Sequence, residues 1–241
     1  MAKKISRAHE QRQVVYSKDR WDLLRSMQDS AVSIMDALGA RGIDSIVHGS
    51  LARGDVSPSS DIDVFIPEVT PSYIIEWSLQ EGGHGICRRE LTQATPAVNV
   101  KGIISLDEKT KVTFPLLALR AREREFYRFG GEASLEGLKG HRRVPGVDKR
   151  LMLIVPKDYG HCEFSILGRG AEAARIIGVG MEILNERTRV LSRRDEVGRT
   201  GIYLKEELRE GETFEERLKE TASRDPSLRR LMQQRGMEFK Y

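Results

Sequence analysis

The stretch from Ser45 to Ile66 constrains this chain more than any other. It opens on an apolar run, Ile46-Val47, turns at Gly49-Ser50, crosses a polar loop and closes on Ile62-Asp63-Val64-Phe65-Ile66. Side chains alternate faces along a strand, so the spacing puts Asp61 and Asp63 on one face while Ile62, Val64 and Ile66 point into a core. Two carboxylates side by side repel each other unless a cation lies between them. Magnesium suits such a pair, because it prefers carboxylate oxygens and completes its shell with water and phosphates. Gly49 lets backbone approach a ligand closely, and Ser50 adds a hydroxyl and an N–H suited to phosphate.

His48-Gly49-Ser50, ten intervening residues and Asp61-Ile62-Asp63-Val64 resemble the signature of the DNA polymerase beta-like nucleotidyltransferase superfamily. Arg53-Gly54 and Ser60-Asp61-Ile62-Asp63-Val64-Phe65-Ile66 are similar, in the motif only, to archaeal CCA-adding enzymes. The resemblance implies a sheet with helices behind it and transfer of a nucleoside monophosphate from an NTP, ATP being the expected donor. One or two Mg2+ ions on Asp61 and Asp63 and release of pyrophosphate belong to the same expectation. It also implies that Gly49 and Ser50 bind the phosphates, with Arg53 near enough in sequence to assist. The acceptor hydroxyl stays open among RNA, a protein side chain and a small molecule.

Family members that transfer nucleotides carry a third acid on a neighbouring strand. In the run that looks equivalent, Lys111 to Pro115, Thr113 stands at that place. A hydroxyl is a poor base and a weak ligand. Glu163, alternating with His161 and Ser165 opposite Cys162, Phe164 and Ile166, is the candidate for a displaced third carboxylate. The alternative is an exposed Glu on a half-buried strand. His48 and His161 read more simply as structural hydrogen-bonding groups.

The flanking elements fit an α/β (α+β) chain with a mixed sheet. Residues 1–16 read as a basic arm. Ser17 then caps a helix whose apolar stripe runs through Trp21, Leu24, Ala31, Ile34, Met35 and Leu38 to Gly39 and Gly42. A short helix is expected from Tyr73 to Gln80, and a hairpin from the runs 97–105 and 111–117. Strands follow at 151–156 and 161–167. Residues 17–168 are thereby expected to form the nucleotidyltransferase domain.

Between Leu119 and Arg150 bases outnumber acids nine to five. Arg120, Arg124 and Arg128 would line one helix face beside Tyr127, as a triphosphate or single-stranded nucleic acid would require, unless pairing with nearby acids neutralises them. Lys139 to Arg143 reads as a basic loop in contact with substrate.

Residues 169–241 are expected to form a second, smaller and mostly helical domain. Ala171 to Leu191 resembles a helix-turn-helix, and Arg193 to Leu204 a following hairpin, as in a winged helix offering Asn185, Arg187 and Arg189 to DNA. Acids nearly balance bases here, 14 to 16, which argues against a strong phosphate footprint and for packing on the rest of the chain. A nucleic-acid-binding regulator that holds nucleotide without turnover is the competing function. The net charge of +4 permits a polyanionic partner without requiring one. Cys87 and Cys162 lack metal spacing and read as reduced thiols, and no apolar run reaches membrane-spanning length, so a cytoplasmic protein without membrane attachment is expected.

Overall fold

A computed structural model describes residue 5 and residues 10–198 and 201–236. The chain begins with β1 (Arg12–Val15), α1 (Lys18–Gly39), β2 (Ile46–His48), α2 (Ser50–Arg53), β3 (Ile62–Phe65) and α3 (Ser72–Glu81). Three strands follow, β4 (Arg88–Gln93), β5 (Lys101–Ser105) and β6 (Thr110–Pro115), then α4 (Ala121–Phe129), β7 (Glu132–Ser134) and α5 (Leu135–Lys139). The remainder is β8 (Gly146–Val147), β9 (Met152–Lys157), β10 (Gly160–Ser165), α6 (Gly170–Ile177), α7 (Met181–Val197), β11 (Leu204–Glu207), α8 (Phe214–Arg224) and α9 (Pro226–Gln234). The fold is α+β, as expected.

These residues form two compact units. One comprises residues 1–32, 46–63 and 124–200, the other 33–45, 64–123 and 201–241. The expected boundary near residue 168 does not appear. The C-terminal part is helical, but α6 and α7 belong to the first unit and α8 and α9 to the second.

In the first unit an antiparallel sheet runs β1-β10-β9-β8. Cys162 stands opposite Val155 and Gln13, and Leu153 opposite Val147 and Phe164. The residues just before Ser17 are thus an edge strand rather than a loose arm, while residues 1–4 and 6–9 of the expected arm lie outside the described residues. Helices α6 and α7 cover the sheet: Ala173, Ile177, Ile183, Leu184 and Leu191 join Phe129, Leu151, Leu153, Phe164 and Ile166 in one apolar cluster. Burial of that stripe fixes the two helices where they are, since side chains of this size each contribute roughly 1.5–3 kcal/mol when removed from water. In the same unit β2 pairs with β7, Val47 opposite Ala133.

The N-terminus of α1 forms where the sequence places it. Ser17 Oγ accepts the Arg20 N–H at 3.4 Å, and Leu24, Met27 and Ala31 are buried.

In the second unit β11, β4, β5 and β6 are successive antiparallel neighbours. The expected hairpin is present, with Ile104 opposite Val112 and Ile103 opposite Thr113. Ile66, just past β3, donates its N–H to the Thr113 carbonyl at 3.0 Å. Gly102 is required here, because a Cβ at that position would lie 2.4 Å from Phe114 Cζ, and the Phe114 ring is wholly buried against Phe214. Thr213 and Glu216 close a capping box on α8, and Asp225 caps α9 at the expected break before Pro226.

Candidate functional site

The Gly-Ser turn stands where β2 gives way to α2. Gly49 has φ 79° and ψ −140°, a backbone conformation that L side chains rarely adopt. Space is not the constraint, since nothing lies within 4 Å of the position a Cβ would take. Its N–H is held by the Gly131 carbonyl at 3.0 Å. Ser50 begins the single turn of α2, and Gly54 ends it by donating to the Ser50 carbonyl at 2.8 Å.

The loop that returns to β3 is closed by serines. Ser50 Oγ donates to Ser60 Oγ at 3.3 Å, and the Ser57 N–H donates to the same oxygen at 3.0 Å. Ser60 N–H in turn reaches the Ser57 carbonyl at 2.8 Å. The hydroxyl opening the Gly-Ser turn and the residue preceding Asp61 are therefore directly linked.

Along β3 the expected alternation holds. Ile62 and Val64 are buried, Asp63 is half-buried and Asp61, one residue before the strand, is exposed. Asp61 and Asp63 alternate with buried Ile62 and Val64, and the next residue in their series, Phe65, is wholly buried. Carboxylate oxygens in an i, i+2 pair are a donor set that fits magnesium, whose remaining positions phosphates and water fill.

Arg53 is committed elsewhere. It is buried, with Nη1 donating to the Gly130 carbonyl at 2.6 Å and Nη2 to Asp55 Oδ2 at 3.1 Å. Both partners lie in the protein, so the expected assistance to a phosphate is replaced by a structural tie between the α2 end and the turn before β7.

Glu163 is likewise committed elsewhere. Arg150 Nη2 lies 2.6 Å from its carboxylate and also holds Asp148, Arg12 lies at 3.9 Å and His161 Nε2 at 3.6 Å. His161 foremost, with Arg150, holds the Glu163 carboxyl at about 2 against a burial effect of opposite sign. Among the described residues no three His, Cys, Asp or Glu side chains group as a metal site. Glu163 thus does not join Asp61 and Asp63. It is not an exposed Glu either, because β10 is buried at all six positions.

Part of each basic segment turns inward, while Arg120, Lys139 and Arg142 are exposed. Arg124 is paired with Glu132, and Arg128 reaches the same carboxylate at 3.5 Å. Tyr127 is buried, with its ring edge-on to His48 at 5.0 Å. In the basic loop, Arg143 donates to the carbonyls of Gly160 and Lys157, both at 2.7 Å, and lies over the Trp21 ring. His141 meets Gln28 at 3.3 Å. These side chains fasten the loop rather than wait for a substrate.

Two helices, α6 and α7, stand where the sequence suggests a helix-turn-helix, with Asn185 and Arg189 exposed on the second. Arg187 of α7 lies over the Phe126 ring, and burial pulls its pKa down to about 10. Among the described residues no wing hairpin follows: α7 continues to Val197, residues 199 and 200 lie outside the described residues, and β11 pairs with β4.

Among the described residues no helix is long and apolar enough to cross a membrane. Residues 30–115 match the family model described as a nucleotidyltransferase domain. The match supports the DNA polymerase beta-like superfamily and a nucleoside triphosphate as substrate. Neither a curated protein nor a solved structure matches the chain.

Proposed function

We propose that the chain is a magnesium-dependent nucleotidyltransferase that moves a nucleoside monophosphate from an NTP, ATP first among them, to an acceptor hydroxyl. The observation that carries the reading is the pairing of a Gly49-Ser50 turn, with Gly49 at positive φ, with carboxylates at i and i+2 where the chain enters β3, inside the segment that matches the family model.

Asp61 and Asp63 would hold the metal. When bound, Mg2+ supplies charge neutralisation on the phosphates and on the leaving pyrophosphate. In this reading the turn offers the Ser50 N–H and, in exchange for its bond to Ser60, the Ser50 hydroxyl to the triphosphate, while the Gly49 N–H stays with Gly131 and the serine-closed loop ties Ser50 to the residue before Asp61. Glu163 belongs in this reading to the Arg150 cluster and not to the metal, and Arg53 to the scaffold of the turn. With Thr113 in the place of the third acid, this reading names no residue that takes the acceptor proton. Arg187 is packed on Phe126, but Asn185 and Arg189 of α7 are exposed, so nucleic-acid binding by α7 is the competing reading.

Calorimetric titration of each NTP with and without magnesium, on wild type and on Asp61→Asn/Asp63→Asn, tests this. Metal-dependent binding of an NTP that disappears in the double variant is the expected result. Failure of every NTP to bind in magnesium would overturn the reading.

A further inference from the structure

Helix α3 leaves its two largest side chains in water. Tyr73 is 64% exposed and Trp77 47%, while Ile75 and Leu79 of the same helix are wholly buried. Residues four apart lie on one helix face, so the two rings form a single stripe, and exposed Val69 precedes it in the chain. Scattered apolar side chains are ordinary on a surface, but Trp and Tyr together are the groups on which protein interfaces most depend.

The charge around this stripe has one sign. Within the second unit α3 packs on the end of α1: a Cβ at Gly82 would lie 2.4 Å from that of Ala37, and the Ser33 hydroxyl meets His84 Nε2 at 3.3 Å. Residues 33–45 and 64–87 carry Asp36, Asp44, Glu68, Glu76 and Glu81 against a single Lys or Arg, Arg41, in a chain whose net charge is +4. Glu76 is half-buried and taken by Arg89, whose guanidinium also holds the carbonyls of Arg209 and Glu212. The other four acids are exposed. A phosphate backbone would meet like charge here, and a cationic partner opposite charge.

Arg41 shows how a cation sits on this surface. Its guanidinium lies 3.4 Å from the centroid of the Trp77 ring while Nη2 donates to Glu81. Trp77 and Glu81 are themselves four apart, so ring and carboxylate together receive one planar guanidinium. Tyr73, one turn earlier, presents a second ring with no cation over it among the described residues.

From this joining of exposed rings with exposed acids we infer that the α3 face docks a basic, arginine-bearing segment of a partner protein. Its guanidinium groups stack on Tyr73 and on the exposed part of Trp77, and its charge faces Asp36, Asp44 and Glu68. Arginine suits the surface better than lysine because a planar guanidinium stacks on a ring and forks to a carboxylate at the same time.

The test uses the full chain without NTP or magnesium, and so does not depend on the proposed transfer reaction. Nona-arginine is titrated at constant ionic strength, with nona-lysine as the probe of equal charge. The Trp77 indole resonance is followed in a 15N-labelled sample, identified by its absence from Trp77→Phe, with calorimetry in parallel. A saturable shift with nona-arginine is expected, and affinity about threefold weaker for nona-lysine. Tyr73→Ala and Glu68→Gln/Glu81→Gln should each weaken nona-arginine by about threefold, and Glu108→Gln, at an exposed turn between β5 and β6, should leave it unchanged. Tyr73→Ala alone decides if the double variant does not fold. No shift, equal affinity for the two peptides, or equal affinity in wild type and Tyr73→Ala would overturn the assignment. So would tighter binding of oligouridylate at the same resonance, or a shift that follows protein concentration without peptide, which would give the surface to nucleic acid or to a second copy of the chain.

Discussion

Arg53 joins two loops that are far apart in sequence: one nitrogen donates to the Gly130 carbonyl at 2.6 Å and the other holds Asp55. Both side chains are largely sequestered, 7% and 12% exposed. Replacing Arg53 by Ala leaves a carboxylate and a carbonyl without their donor, which costs about 3–5 kcal/mol. Urea unfolding of Arg53→Ala should show that loss, and NTP binding measured on the remaining folded fraction should be intact. A stability change below about 1 kcal/mol would mean that the tie is dispensable.

Gly49→Ala meets no steric neighbour, so its effect isolates the backbone conformation. Forcing a Cβ onto φ 79° costs on the order of 1–3 kcal/mol unless the turn relaxes. The expected readout is a lowered unfolding midpoint together with weakened NTP affinity, because the Ser50 N–H moves with the turn. Unchanged affinity and stability would show that the positive φ is not needed.

Glu163 has its carboxyl depressed from 4.5 to about 2 in the folded protein. A depressed acid stabilises the fold fully above its unfolded pKa, and that contribution is lost as pH falls from about 4.5 through about 2. Glu163→Gln should therefore flatten the acid limb of the stability curve in that window and cost on the order of 2–3 kcal/mol at neutral pH. Denaturation at pH 7 and pH 3 compares the two proteins. A difference independent of pH would exclude the carboxylate as its source.

Gly102→Ala drives a methyl into the buried Phe114 ring. Overpacking of this kind costs about 1–3 kcal/mol. Thermal unfolding measures it, and Phe114→Leu in the same chain should recover part of the loss.

Leu184 of α7 is 3% exposed in the cluster shared with Leu153 and Phe164. Leu184→Ala should cost about 2–5 kcal/mol, and far-ultraviolet ellipticity and the environment of Trp21 should be lost in a single transition. Two separated transitions, with α6 and α7 melting alone, would restore the picture of an independent C-terminal domain.

How much of this was legible in the sequence depends on where each element found its partners. The helix α1, the turn at Gly49, the alternation through Asp61-Ile62-Asp63-Val64 and the β5–β6 hairpin all carry their signal in adjacent residues, and each was readable. Strand β4 was not. Its residues Arg-Arg-Glu-Leu-Thr-Gln show no apolar alternation, because the buried Glu90 is compensated by Lys205 at 2.9 Å and Gln93 by the carbonyls of Pro96 and Val98. Strand β1 is hidden for a related reason: it is a polar edge that reveals itself only through pairing with β10.

The candidate site divides in the same way. Gly49, Ser50, Asp61 and Asp63 lie within one local motif, and their disposition follows from it. Arg53 and Glu163 were judged by residue type and proximity in sequence, yet their roles were set by Gly130, Asp55 and Arg150, which periodicity does not bring together. A cation next to an acid in sequence shows only that they could pair. In Arg124 and Arg128 the charge was legible, but not that Glu132 would absorb it.

Strand β1 leaves the ribosome well before its neighbour in the sheet: Tyr16 and His161, which meet at the edge of that pairing, are 145 residues apart. The nascent β1 segment must therefore wait, unpaired, while the intervening residues are synthesised. Contacts of such long sequence separation slow folding and leave strand edges open to other chains in the interval. Production yield should accordingly depend on chaperone supply and elongation speed more than on the equilibrium stability of the finished protein.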